Sequence, residues 1–120
     1  MNGTVLVVDD EPDIRLLVRL VLEMEGYEVM EATSGQDALA AVDERRPDLI
    51  LLDIRLPGMD GWEVLRQLRE NDGEDHLPVV IMSAHSSEPT LDRATSMGSD
   101  DYLVKPFTQN DILRVVERFT

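Results

Sequence analysis

Cysteine is absent from this chain of 120 residues, which excludes disulfides and zinc–thiolate centres. No apolar run approaches the roughly 18 residues that a membrane-spanning helix needs. No basic segment followed by an apolar one opens the chain, as a secretory leader would. These absences fit a cytoplasmic protein that does not enter a membrane. Positive charge is also scarce: 11 basic residues face 25 acids, for a net charge of −14. Such a surface repels phosphate backbones and argues against direct contact with nucleic acid. Solubility accounts for the acidity, with a salt-adapted source as the alternative. Lysine is the scarcest cation, because every basic residue except Lys105 is arginine.

Against these absences stands a regular alternation. Short hydrophobic runs read as strands at Thr4–Val8, Glu28–Ala32, Leu49–Leu52, Val79–Met82 and Asp101–Val104. Between them lie segments of helical period, such as Ile14, Leu17, Val18 and Val21, with Gly26 as a stop. Ser34 with Asp37, and Thr108 with Asp111, resemble capping boxes before the second and fifth helices. Pro47 closes the second helix, and Gly98 follows a weaker fourth one. Strand alternating with helix predicts right-handed crossovers and a parallel sheet. "VLVV", "LILL" and "VVIM" are apolar throughout, as central strands should be, whereas "EVMEA" and "DYLV" suit the edges. The predicted fold is therefore α/β, a flavodoxin-like (βα)5 doubly wound sheet of five parallel strands in the order 2-1-3-4-5. Residues 1–120 are read as one domain, with no linker, repeat or further module.

In that order the chain reverses direction between strands 1 and 3, and ligands bind outside the carboxyl ends there. Asp9 and Asp10 follow strand 1, and Asp53 follows strand 3. Singly, such acids are ordinary helix caps. Together they repel one another and need a cation. Oxygen ligands with an incomplete protein shell suit Mg²⁺. Ser83 and Lys105 close strands 4 and 5 at the same edge. A hydroxyl and an ammonium beside a metal–carboxylate cluster suit the oxygens of a phosphoryl group. A compact ammonium fits there where a planar guanidinium would not.

The chain resembles the receiver domains of two-component response regulators. The resemblance runs from "VLVVDDEPDIR" through "PDLILLDIRLPGMDGWEVL" and "VVIMSA" to "GSDDYLVKPF". It implies that Asp53 is the phosphoacceptor, served by a sensor histidine kinase or phosphotransfer protein. It implies that Asp10, Asp53 and the carbonyl of Arg55 hold Mg²⁺, with Asp9 assisting through water. Lys105, Ser83 and the backbone N–H of Ala84 would contact the phosphoryl oxygens. Tyr102 matches the family's aromatic switch position, and the Lys105–Pro106 bond is expected to be cis. A downstream effector would read the face made by the fourth helix, fifth strand and fifth helix. The protein would catalyse only its own phosphorylation and dephosphorylation.

Competing readings lack their residues. A phosphatase of the haloacid-dehalogenase type needs an acid two positions after Asp53, where this chain has Arg55. A flavin carrier needs a Ser/Thr/Gly-rich loop after strand 1, where "DDEPD" stands. A degenerate receiver that is never phosphorylated is the alternative, although every chemical position is filled. Val115 stands where DNA-binding relatives with paired receivers carry a basic residue, which weakens that mode of pairing and leaves the oligomeric state open. Trp62 reads as partial packing, His76 as solvated, and His85 as a rim residue near Ser83.

Overall fold

Five hydrophobic stretches pair through their backbones into one parallel sheet in the computed structural model, which describes residues 3–73, 75–84 and 87–120. The elements run β1 (Thr4–Val8), α1 (Pro12–Met24), β2 (Glu28–Ala32), α2 (Gly35–Glu44), β3 (Leu49–Asp53), α3 (Gly61–Glu70), β4 (Val79–Ser83), α4 (Glu88–Ser96), β5 (Asp101–Val104) and α5 (Gln109–Phe119). The strand order is β2-β1-β3-β4-β5, as the apolar content of the strands predicts. β1, β3 and β4 are buried along their whole length, while β2 and β5 are partly open at the edges.

Side chains alternate across the sheet, so each central strand feeds two cores. On one face Val5, Val7, Leu49, Leu51, Val80 and Met82 pack against α1 and α5. On the other, Leu6, Val8, Ile50, Leu52, Val79 and Ile81 meet α2, α3 and α4. Ile112, Val115 and Val116 recur at helical spacing and turn one side of α5 inward. Val115 is fully buried. Its apolar character therefore belongs to the core, and it offers no charge to the outer face of α5.

The helix ends follow local chemistry. Thr108 and Asp111 form a complete capping box at α5. At α2 only half of one forms: Ser34 accepts the Asp37 N–H, while the Asp37 carboxylate takes the Thr33 hydroxyl at 3.1 Å. Among the described residues no helix is long and apolar enough to cross a membrane.

Candidate functional site

Parallel pairing brings the ends of four strands to one edge. Val8 pairs with Leu52, Asp53 with Met82, and Ser83 with Val104. The ladder continues one step further: Asp9 N–H donates to Ala32 O at 3.1 Å, and Lys105 N–H to Ser83 O at 2.7 Å. Four residues from distant parts of the chain thus converge without any loop having to be rigid by itself. The Lys105–Pro106 peptide bond is cis.

Asp9 is the innermost of the acids, with no exposed surface. Its carboxylate accepts the Glu11 N–H at 2.9 Å and the Lys105 ammonium at 2.8 Å, and Arg15 donates to its carbonyl at 2.8 Å. Asp53 is 4% exposed. Its Oδ1 accepts the Arg55 N–H at 3.3 Å, and its Oδ2 lies 3.5 Å from Lys105 Nζ. The loop after Asp53 is held close to α3, where Gly61 N–H donates to Ile54 O at 2.7 Å. A Cβ on Gly61 would stand 2.3 Å from Asp53 O, so only glycine lets α3 start against the backbone of the central acid.

These contacts set the charges. Burial pushes the Asp53 carboxyl up, and the neighbouring Asp9 charge pushes it further, to about 6. Lys105 and the Arg55 N–H offset part of that shift. At Lys105 burial acts to lower the pKa, yet the bond to Asp9 and the charges of Asp9, Asp53 and Glu11 outweigh it, leaving the ammonium firmly protonated. Asp10 is exposed, and with Asp9 and Asp53 it offers three carboxylate oxygens within 4.8 Å of one another. An all-oxygen set with one solvent-facing member fits a hard cation that keeps some of its waters. In front of the set opens a cleft of about 330 Å³ lined by Asp10, Glu11, Asp53, Arg55, Ser83, Ala84 and Lys105.

The structure therefore gathers Asp9, Asp10, Asp53, Arg55, Ser83, Ala84 and Lys105, all singled out from the sequence. Tyr102 is half-buried on β5 against the α4 side of the sheet, away from the cleft lining. His85 lies outside the described residues. His76 is exposed, as expected, and its ring also bonds Asp100 at 2.8 Å and lies 3.4 Å from Asp72. Sequence reasoning missed Glu11 and Arg15. Glu11 lines the cleft 3.6 Å from Lys105, and Arg15 anchors the Asp9 backbone. Their position in the first turn and N-cap of α1, directly after the acid pair, was the available signal.

Residues 5–117 match the response regulator receiver domain. The chain belongs to that family. This receiver is 36% identical over 119 residues to sporulation initiation phosphotransferase F of Bacillus subtilis, covering 99% of the chain and 94% of the relative. It is 40% identical over 113 residues to the phosphate regulon transcriptional regulatory protein PhoB of Pseudomonas aeruginosa, covering 94% of the chain but 49% of the relative. The chain thus spans about half the length of several curated relatives it matches. Among solved structures, the Vibrio cholerae chemotaxis protein CheY4 superposes with a TM-score of 0.91 at 31% identity, over 98% of both chains. The receiver domain of NtrX from Brucella abortus superposes at 0.87 with 40% identity, over 95% of both.

Proposed function

We propose that this receiver accepts a phosphoryl group on Asp53 from a phosphohistidine of a sensor kinase or phosphotransfer protein, with Mg²⁺ held by Asp10, Asp53 and the Arg55 carbonyl and supported by Asp9. The observation that carries the reading is a nearly buried carboxylate ringed by two acids and one ammonium at the floor of an open cleft. Bound there, Mg²⁺ would supply the charge neutralisation that lets an anionic nucleophile meet an anionic phosphoryl group.

The chain's own residues do the rest. A carboxylate oxygen of Asp53 attacks phosphorus as the P–N bond to the donor imidazole breaks, and the imidazole leaves with the bonding electron pair. Lys105 balances charge on the transferred oxygens, while the Ser83 hydroxyl and the Ala84 N–H donate to them. Such a transfer needs positioning and electrostatics more than covalent chemistry. The phosphoryl group adds about −1.5 to −2 charges. Ser83 moves toward it, and Tyr102 turns into the room released. The α4–β5–α5 face then presents a different surface to the effector.

Acetyl phosphate with Mg²⁺ tests this reading by intact-mass spectrometry. One phosphoryl group is expected on the wild type and none on Asp53→Ala. A mass gain that survives in Asp53→Ala overturns the assignment.

A further inference from the structure

The acid pair after β1 is fastened from the side of the edge strand. Asp9 N–H donates to Ala32 O on β2 at 3.1 Å, and Asp9 O accepts Arg15 Nη1 from α1 at 2.8 Å. Arg15 is itself held by β2, with its Nε 3.1 Å from Glu31 Oε1. Glu31 pairs with Val7, so it lies on the α1 side of the sheet, next to Ala32. The other Glu31 oxygen takes Arg19 Nη1 at 3.1 Å, and Arg19 Nε reaches Glu23 at 2.8 Å. Arg19 and Glu23 are about half exposed, so this outer link adds little. The Arg15 link differs: its side chain is 16% exposed, and one planar guanidinium joins the Asp9 backbone to β2.

We propose that Arg15, clamped by Glu31, is a positioning residue for the cation at the acid cluster, a reading that rests on Mg²⁺ held by Asp10 and Asp53. The carbonyl of Asp9 and the N–H of Asp10 belong to one planar peptide. Holding that carbonyl therefore fixes the plane from which the Asp10 side chain departs. Asp10 is exposed, so the backbone that carries its carboxylate does most to direct it. With the plane held beforehand, the ion does not have to order the loop when it binds. Arg15 also brings a positive charge, which by itself opposes a cation. Glu31 offsets that charge, so the positional effect outweighs the repulsion. Groups that orient the ligands of a metal commonly account for about tenfold or more of its affinity. By this route β2, which lends no side chain to the cleft lining, helps to set how much Mg²⁺ the site requires.

The test measures Mg²⁺ affinity itself, on the full chain and with no phosphoryl donor. Mg²⁺ is titrated at matched ionic strength and followed by the amide NMR signals of Asp10 and Asp53, with urea unfolding as a separate record of stability. Arg15→Met should bind Mg²⁺ about tenfold more weakly than the wild type, although it removes a positive charge. Arg15→Lys should fall between them, because an ammonium cannot serve the carbonyl and Glu31 together. Glu31→Ala should also weaken binding, and it should add nothing in the Arg15→Met background, where the guanidinium it clamps is gone. An Arg15→Met affinity equal to the wild type or tighter overturns the proposal, since charge alone predicts the tighter value. An equal loss from Glu31→Ala with and without Arg15 overturns it too, because Glu31 would then act by its own charge. Should Arg15→Met fail to fold, wild-type affinity in both Arg15→Lys and Glu31→Ala is the overturning result. Wild-type signals that ignore Mg²⁺, or that respond equally in Asp10→Asn, overturn the metal reading itself, and that result is distinct from a change confined to Arg15.

Discussion

At the scale of single residues the site was legible where chemistry and strand ends coincide. Asp9, Asp10, Asp53, Ser83 and Lys105 each follow or close an apolar run, so strand periodicity alone placed them on one edge. How the charges pair was not legible. Lys105 sits nearer Asp9 than Asp53, at 2.8 Å against 3.5 Å. A guanidinium in that pocket would fork onto the buried Asp9 carboxylate and crowd Asp53. Lys105→Arg is therefore expected to accept phosphate slowly and to show a weakened response at Tyr102. Beryllofluoride with Mg²⁺ provides the readout, through NMR shifts along α4, β5 and α5; a full wild-type pattern would contradict it. Asp53 carries a pH signature. Its carboxyl rises from 3.8 to about 6 on folding, so the folded protein binds that proton more tightly than the unfolded chain. The stability tied to that proton is complete below the unfolded value and is lost as pH climbs through the folded one. In EDTA, Asp53→Asn should melt above the wild type at pH 7.5, by about 2–3 kcal/mol at most. The gap should shrink as pH falls toward 4. An advantage that does not vary with pH would rule out this cause.

At the scale of elements, the pattern of apolar residues located every strand and helix, but boundaries drawn at the last apolar side chain stopped short. β3 includes Asp53 and β4 includes Ser83. Backbone pairing with Met82 and Val104 carries each strand one residue further, whatever its side chain. α4 reads weakly for a physical reason: Ala94 is its one buried residue among those described. Contacts from α3 help to seat it, and no motif announces them. Arg69 reaches Gly98 O at 2.9 Å, Leu77 O at 2.8 Å, Asp72 at 2.7 Å and Asp100 at 3.0 Å. Asp100 in turn accepts the Val79 N–H at 2.8 Å. An ammonium cannot reach four acceptors spread this way. Arg69→Lys should thus cost about 2–3 kcal/mol in urea unfolding while keeping the charge. A loss under about 0.5 kcal/mol would show the cluster to be ornamental.

At the scale of the whole molecule, composition excluded more than it specified. The net charge of −14 sets the overall field and says nothing of where the arginines sit, such as Arg93 over the ring of Trp62, 31 positions away. Self-repulsion of this size predicts two salt responses. NaCl should raise the melting temperature gradually by screening, and millimolar Mg²⁺ should raise it further by binding at the acid cluster. Asp10→Asn should keep the first response and lose most of the second, as read by calorimetry at matched ionic strength. An unchanged Mg²⁺ increment in that variant would move the cation elsewhere. A parallel sheet also gives the molecule two unlike ends. The cleft stands at the carboxyl ends of β4 and β5, and the Arg69 cluster ties their amino ends. A five-residue strand such as β4 spans about 16 Å, beyond the roughly 7–10 Å over which substitutions usually influence one another. Evolution can therefore retune the lifetime of the signal at one end and tolerance to heat at the other, as two nearly independent traits.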